Sequence, residues 1–531
     1  MADYIPRSQL VGADPVWLIR WTWAGRDFHY STRRVDPVDA DGVAIPHRAM
    51  LTSLSLDSDF NLLADAASER SAVVEIFPEI DVGALVSQGH DLNTGTAELS
   101  LWVEGTPYED RVVMLTGDTG SPGYGAINEP INFSLSERAW DDVGQILDPA
   151  GKITSETWPE YGGDAVGKFY PLVFGTPGEY RTSSGVSAVA AATPAYKIED
   201  SPSVWNFLIA GHRVAASFVR LENLSDGTSA DAQVYHKADG LGKEIAYCSV
   251  SALGTPPLTL DSEHEYACYW TNTTGSGLVV GTKEIRRGGD VLEYMLDLSS
   301  IDLDRGKTSA ALGALNGLLI DGYIDEQSSP VEWLMDNLYP LLPVSIVRGL
   351  NGLYPLVWNP TASGAEALEA LVAGPGFART GPVQYEGEIS NKLAIQYALN
   401  INKLQYQRSI TLGKIATGRG ADYLQSLGAT VSASRYGERA ADPMESDIIY
   451  KDEAAAWVLM WMIQRDGFPK RVIQYEADPV YAWIPTGAVV TLTDSELNLT
   501  EYPALWIPTW RDNLLVARLV LLNNPNLDQG N

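Results

Sequence analysis

The segment Trp17-Leu-Ile-Arg-Trp-Thr-Trp23 decides how the first part of this chain folds. Large apolar residues occupy every second position in it, so one face of an extended strand would carry Trp17, Ile19, Trp21 and Trp23. A hydrophobic period of two predicts a half-buried β-strand rather than a helix. The fold expected around this segment is therefore built from strands.

Similar short segments, rich in β-branched and aromatic residues and bounded by turn residues, follow along the chain. Within the first 140 residues they lie at 26–31, 72–77, 98–103, 111–116 and 130–135. Closely spaced short strands of this kind favour an antiparallel arrangement. Residues 1–150 are therefore predicted to form an N-terminal β-barrel domain.

The composition changes along the rest of the chain. Residues 151–202 are rich in Gly, Pro and Ser, which predicts a boundary or an arm, and 203–290 form a β-rich domain. Residues 291–386 show helical periodicity at 309–319, 330–339 and 364–373, which predicts an α/β insertion. Residues 387–531 predict a C-terminal domain of strands with one clear helix, capped by Asp452 and stopped by Gly467 and Pro469; a short helix is also expected at 421–428. The predicted fold class is mainly β and multidomain.

The net charge of −31 over 531 residues limits the partners of this chain. An acidic surface repels phosphate backbones, so neither specific nucleic-acid binding nor attachment to an anionic membrane is expected. No apolar run approaches the ~20 residues that cross a bilayer, so no membrane span is predicted. Residues 1–9 lack the apolar run of a signal peptide, which predicts synthesis in the cytoplasm.

Two cysteines and six scattered histidines give little scope for a metal site. Cys248 and Cys268 cannot supply four thiolate ligands, and no histidines show the spacing of a zinc motif. No metal, cofactor or catalytic residue is therefore predicted. Whether the two cysteines pair stays open, although two reduced and buried thiols are favoured.

The aromatic composition is unusual, because 15 Trp and 25 Tyr stand against 10 Phe. Rings that carry a polar atom are enriched where protein subunits meet. Trp17, Trp21 and Trp23 are therefore candidate contacts with a neighbouring subunit. Packing in the core of the chain is an equally weighted alternative.

A series of motifs lies near the C-terminus: Arg435-Tyr-Gly-Glu-Arg439, the helix entered through 447–452, the strand Arg471-Val-Ile-Gln-Tyr-Glu476, and Tyr481-Ala-Trp-Ile-Pro-Thr-Gly487 leading into 488–494. This order resembles the barrel of baseplate hub, or tail-tip hub, proteins of long-tailed bacteriophages and related gene transfer particles. Ala488 stands where that family carries an acidic residue. Segments 17–23, 111–117 and 167–175 are similar to other parts of such hubs, so the resemblance covers both ends of the chain and the middle only loosely.

The resemblance implies a structural virion protein with two tail-hub-type barrels per chain, assembled as a homotrimer. Three chains would then form a ring of six barrels that seats a threefold tip on the sixfold ring of the distal tail protein. It also implies a location at the tail tip or baseplate after synthesis in the host cytoplasm. The implied partners are the tape measure protein and the tail fibre or receptor-binding proteins, and DNA would pass through a central channel.

Within the motif, the candidate interface residues are Arg435, Tyr436 and Arg439, with ordinary turn packing as the alternative. Some hub relatives carry an iron–sulfur cluster, which two cysteines cannot bind. Enzymatic activity is not expected. Two other functions stay open: a distal tail ring or carbohydrate-binding tip protein, and a glycan or cell-wall hydrolase on a β scaffold.

Overall fold

The computed structural model describes residues 15–58, 70–124, 129–137, 144–159, 163, 165–201, 203–251, 258–270, 277–299, 303–349, 352–357, 359, 362–413 and 423–522. The predicted absence of a signal peptide at residues 1–9 concerns positions outside these ranges. Within them, no helix is long and apolar enough to cross a membrane.

Strands dominate the described residues. Residues 15–137 contain β1 (Pro15–Trp23), β2 (Arg26–Ser31), β3 (Arg48–Ala49), β4 (Leu51–Ser58), β5 (Arg70–Ile76), the helix α1 (Val82–Ser87), β6 (Thr96–Val103), β7 (Val112–Gly123) and β8 (Ile131–Glu137). Residues 172–284 add β9 (Leu172–Phe174), β10 (Glu179–Arg181), β11 (Ser187–Val189), β12 (Thr193–Asp200), β13 (Val204–Ala210), β14 (Phe218–Asn223), β15 (Ser229–Ala238), β16 (Glu244–Ser251), β17 (Tyr266–Tyr269), β18 (Val279–Val280) and β19 (Lys283–Glu284).

Helices and strands alternate in the rest of the chain. They are α2 (Gly288–Leu298), α3 (Arg305–Leu312), β20 (Gly322–Ile324), α4 (Pro330–Trp333), β21 (Val344–Gly349), β22 (Gly352–Val357), β23 (Glu369–Val372), β24 (Phe377–Arg379), β25 (Gln384–Glu386), β26 (Leu393–Asn400), β27 (Gln405–Gly413), β28 (Tyr423–Gln425), α5 (Leu427–Tyr436), β29 (Met444–Glu445), α6 (Asp452–Asp466), β30 (Lys470–Ala477), β31 (Val489–Asp494), β32 (Leu499–Arg511) and β33 (Leu514–Leu521).

Strands from the two ends of the chain form one 15-stranded sheet, here called the terminal sheet. Its N-terminal half follows the order β4-β5-β8-β7-β6-β1-β2-β3, and β1 also lies against β4. Its C-terminal half follows β24-β30-β33-β32, with β31 and then β23 beside β32. A bridge between Gly374 and Phe377 connects the β23 end of this half to the β24 end. Each half therefore curls back on itself.

The halves of the terminal sheet share one hydrophobic core. Trp21 and Leu99 enter it from the N-terminal half, and Tyr475 and Trp506 enter it from the C-terminal half. The long strand β32 makes this possible, because its first part pairs with β31 and its last part reaches β4 at the pair Trp510–Leu56. Burial of these large rings stabilises the sheet.

The mainly β, multidomain fold predicted from the sequence is confirmed. The strands expected near the two ends of the chain are present, and β1 to β8 lie in one sheet with β30 to β33. Strands β26 to β29, which fall within the predicted C-terminal barrel, form a separate four-stranded sheet. A fully closed barrel lies between the two ends in sequence, in the order β12-β13-β16-β15-β14-β17. Its interior is filled by apolar residues such as Phe207, Leu221 and Trp270, together with both cysteines.

Helices α2 to α6 and strands β9, β20 and β26 to β29 form a mixed α/β part around a further core. Helix α6 lies at its centre, where Val458 and Leu459 are fully buried and the Trp461 Nε1 donates a 2.9 Å hydrogen bond to the Leu341 carbonyl. The helix ends at Gly467, as the sequence predicts. This part supports the segment that carries the Arg435–Arg439 motif.

The predicted arm and the predicted α/β insertion both pack against other parts of this chain. Part of the predicted arm covers the closed barrel, because Ile153, Trp158 and Tyr170 share a small core with the barrel residues Leu208 and Ile245. The last strands of the predicted α/β insertion, β23 to β25, pair with β31 and β30 of the terminal sheet. The sequence-based domain boundaries stay predictions.

The helix predicted at 364–373 is wrong. The chain forms a short 3-10 turn, Gly364–Glu366, and then the strand β23, which pairs in parallel with β31. Leu371 faces the core while Ala370 and Val372 are exposed, so the burial follows the period of a strand. The tertiary pairing with β31 outweighs the helical spacing of this segment.

Three predicted helix starts also change. Residues 421–422 of the helix expected at 421–428 lie outside the described ranges, and the others belong to β28 and to the start of α5, whose Ser426 cap accepts from the Ala429 amide. Helix α3 begins at Arg305 after an Asp304 cap, earlier than predicted. Lys451 rather than Asp452 occupies the cap of α6, because the Asp452 carboxylate accepts hydrogen bonds from the side chains of Tyr397 and Arg408.

Candidate functional site

The motif residues lie together at the end of α5. Arg435 and Tyr436 form its last turn, where a basic residue suits the negative end of the helix dipole, and Arg439 follows Gly437. Gly437 adopts a φ of 79°, which favours glycine and turns the chain sharply. Arg435 and Arg439 are exposed and Tyr436 is half-buried. The three side chains therefore mark one surface corner of the mixed α/β part.

This corner is held by Asn391, a residue that the sequence patterns do not identify as a candidate. The Asn391 amide, 1% exposed, donates hydrogen bonds to the Ser432 hydroxyl (3.0 Å) and the Gly437 carbonyl (2.8 Å). Its side-chain oxygen accepts from the Arg439 amide at 2.8 Å. An ion pair of 2.7 Å between Lys392 and Glu438 adds a second contact across the corner. The position of Arg439 is thus fixed by buried polar contacts.

The aromatic stripe on β1 lies elsewhere, inside the terminal sheet. Trp17, Trp21 and Trp23 are only 3%, 1% and 1% exposed. The rings of Trp21 and Trp23 stack at 5.2 Å, and the Trp23 Nε1 donates to the Asp91 carbonyl at 2.9 Å. The structure therefore places all three rings in the core of the chain, which is the packing alternative, and does not bring them near the motif as one site.

A buried ion pair connects the segment after strand β9 to the segments that precede α2 and β20, all within the mixed α/β part. Asp321, whose side chain is 0% exposed, contacts Arg286 at 2.9 Å and accepts from the Thr176 amide at 2.6 Å. Arg286 also donates to the Thr176 hydroxyl at 3.0 Å. Gly175 is needed here, because a Cβ at this position would collide with the Asp321 carboxylate. A charge buried this deeply is tolerated only with such partners.

A cavity of about 280 Å³ lies between the closed barrel and the turn after β26. It is lined by residues that include Lys168, Tyr196, His264, Glu265, Tyr266 and Ile401. The Tyr196 hydroxyl donates to Asp325 at 3.0 Å, and burial raises the pKa of that carboxyl group. The lining combines aromatic and polar groups, which suits a small polar molecule.

Among the described residues, no group of three or more His, Cys, Asp or Glu side chains is placed to hold a metal ion. Cys248 and Cys268 are free and buried. Burial raises the pKa of the Cys268 thiol to about 12 and also raises that of Cys248. Both thiols are therefore protonated and unreactive at neutral pH.

The closed barrel should lose stability in acid because of His212. Its Nε2 accepts a 3.0 Å hydrogen bond from the Val173 amide, which requires a neutral ring. Burial lowers the pKa of His212 from 6.5 to about 4, so the unfolded chain takes up the proton first as the pH falls. This contribution to stability is complete above about pH 6.5 and falls between pH 6.5 and 4, by at most about 1.4 kcal/mol per pH unit.

Urea unfolding of the full chain at pH 7 and pH 5 measures this effect. Replacing His212 by Gln should reduce the loss of unfolding free energy between the two pH values, while the same change at the exposed His90 should not. An unchanged pH dependence in H212Q would show that the ring is not held neutral by the Val173 contact.

The described residues thus define a mainly β, multidomain protein with a large terminal sheet, a closed barrel and a mixed α/β part. No known family model matches the sequence, and no curated protein matches it. Among solved structures, the chain is similar to one from the virion of a native gene transfer agent particle, with a TM-score of 0.37 and 11% sequence identity. The match covers 68% of this chain and 85% of that chain. A TM-score this low establishes no shared fold.

Proposed function

We propose that this chain is a structural virion protein, the trimeric hub of a phage tail tip or baseplate. In this role it joins the tail tube and the distal tail protein ring to the receptor-binding tip and surrounds a channel for DNA. The observation that supports the proposal is the terminal sheet, in which the two ends of the chain form neighbouring curled halves around one core. Segments 17–23, 111–117 and 471–476, which belong to these halves, are among those that resemble hub proteins in sequence.

The charge suits a passage for DNA. Three chains of −31 each carry a total charge of −93. Acidic groups that face a central channel repel the phosphate backbone, so DNA would pass without being bound. We propose binding to the distal tail ring, the tape measure protein and the fibre or receptor-binding proteins, with no catalytic step.

The oligomeric state tests this proposal. Three chains of 57.7 kDa have a mass of about 173 kDa, which sedimentation analysis of the purified full chain at micromolar concentration should detect. We place the exposed corner at Arg439 in the interface between subunits. Reversing its charge in R439E would disturb the electrostatic complementarity of that interface, so the trimer fraction should fall several-fold. The exposed Arg26 on β2 offers a matched control, because R26E should leave the trimer intact.

A wild-type chain that sediments as a monomer of 57.7 kDa at all concentrations would contradict the hub proposal. Equal trimer fractions in R439E and R26E would remove the Arg435–Arg439 corner from the interface and leave the trimer itself standing.

A further inference from the structure

The outer face of the closed barrel carries an ordered set of side chains that the hub function does not use. The strand register defines this face, because directly paired residues of antiparallel strands point to the same side. Val219 and Ala232 are paired and lie in the barrel core, so their neighbours Phe218 and Gln233, also paired, point outward. By the same rule, Ser249 lies outward beside Gln233.

A row of hydrogen-bonding side chains crosses four neighbouring strands of this face. It runs from Gln233 on β15 through Ser249 on β16 and Asn206 on β13 to Glu199 on β12. The Ser249 hydroxyl donates to the Asn206 side-chain oxygen, and the Asn206 amide donates to Glu199. These contacts fix the orientation of the side chains while leaving further donor and acceptor positions on the amides and the hydroxyl.

Exposed aromatic rings flank the row. Phe218 is 48% exposed at its β14 end, and Tyr235, 39% exposed, lies two residues along β15 from Gln233. Tyr235 stacks on the half-buried Tyr247 with ring centroids 5.6 Å apart, and its hydroxyl donates to Gln233 at 2.9 Å. Large aromatic rings left in water beside ordered polar groups are typical of a binding surface.

The charges around the row are compensated. Lys237 forms an ion pair with Glu199 and also lies 4.8 Å from the centre of the Tyr247 ring. On the other side, Arg220 lies 3.8 Å from Asp231. A ligand for this face therefore needs hydroxyl groups and apolar ring faces rather than a charge, and the −31 net charge of the chain disfavours an anionic ligand.

We propose that this face of the closed barrel binds a neutral glycan built of pyranose rings. The apolar faces of pyranose rings stack on aromatic side chains, and their hydroxyl groups pair with amide, hydroxyl and carboxylate groups. Strands are spaced about 4.8 Å apart, so the row from β15 to β12 spans about 14 Å, close to the length of three sugar units. This inference is independent of the hub function.

Titration of the full chain with cellohexaose, maltohexaose, chitohexaose and mannohexaose tests the proposal. At least one should bind with a Kd on the order of 0.1–1 mM, as expected for a shallow and largely polar surface. Replacing Tyr235 by Ala should raise that Kd about tenfold, and Q233A should raise it about threefold. Both side chains are exposed, so neither change should affect folding, which circular dichroism can verify.

Tyr385, 68% exposed on the terminal sheet, provides the matched control, because Y385A should leave the Kd unchanged. Failure of all four hexasaccharides to bind at about 5 mM, well above the expected Kd, would overturn the proposal. Binding that is equally strong in the wild type and Y235A would also overturn it, since the ligand would then occupy another site such as the cavity beside His264.

Discussion

Replacing Trp510 by Ala should lower the unfolding free energy of the chain by about 3–5 kcal/mol, the usual range for removing a buried tryptophan. Trp510 is 4% exposed and lies where the two halves of the terminal sheet join. Its ring meets Trp17 edge-on at 4.9 Å, and its backbone is in register with Leu56. The cavity left by W510A would therefore weaken both halves together.

Hydrogen exchange of the full chain can measure this coupling. Amides of β4 in the N-terminal half and of β33 in the C-terminal half should lose protection in parallel. The control Y385A changes an exposed ring of the same sheet and should cost less than about 0.5 kcal/mol. Full protection of β4 in W510A would show that the halves are independent domains, contrary to a shared core.

The second large effect is expected at Asp321. Its removal in D321A leaves Arg286 without its buried carboxylate partner, which should cost about 3–5 kcal/mol. The Thr176 amide also loses its acceptor, so the connection between the segment after β9 and the start of β20 should open first. Urea unfolding gives the free energy, and exchange of the β9 and β20 amides locates the opening.

An exposed ion pair in the same part of the chain provides the control. Asp297 and Arg305 pair at the surface with side chains 47% and 63% exposed, so D297A should cost less than about 1 kcal/mol. Similar losses for D321A and D297A would mean that the Asp321–Arg286 pair contributes no more than a surface pair.

Local sequence patterns predicted those elements whose signal lies within a few residues. The alternation from Trp17 to Trp23 identified β1, and Gly467 identified the end of α6. Local spacing also predicts a helix at 364–373, and this prediction is wrong. The segment pairs in parallel with β31, more than a hundred residues away, and local residue spacing does not encode that pairing. Likewise, nothing local shows that β32 is shared between the two halves of the terminal sheet.

The candidate sites were harder to predict for the same reason. Asn391 holds the corner at Gly437 and Arg439 from about 46 positions away, and a lone Asn in a sequence has no signature of that role. The polar row on the closed barrel is assembled from strands that are distant in sequence, so it becomes visible only through their register. The sequence places the three tryptophans on one face of β1, but it does not show whether that face packs in the core of the chain or against another subunit. Tryptophan is enriched in both environments.

Electron cryomicroscopy of the assembled full chain tests the hub proposal most directly. We expect a threefold ring in which the two halves of each terminal sheet supply six strand cylinders around an acidic bore. A sixfold ring with one cylinder per chain, or a single subunit whose acidic residues converge in a deep cleft, would contradict it.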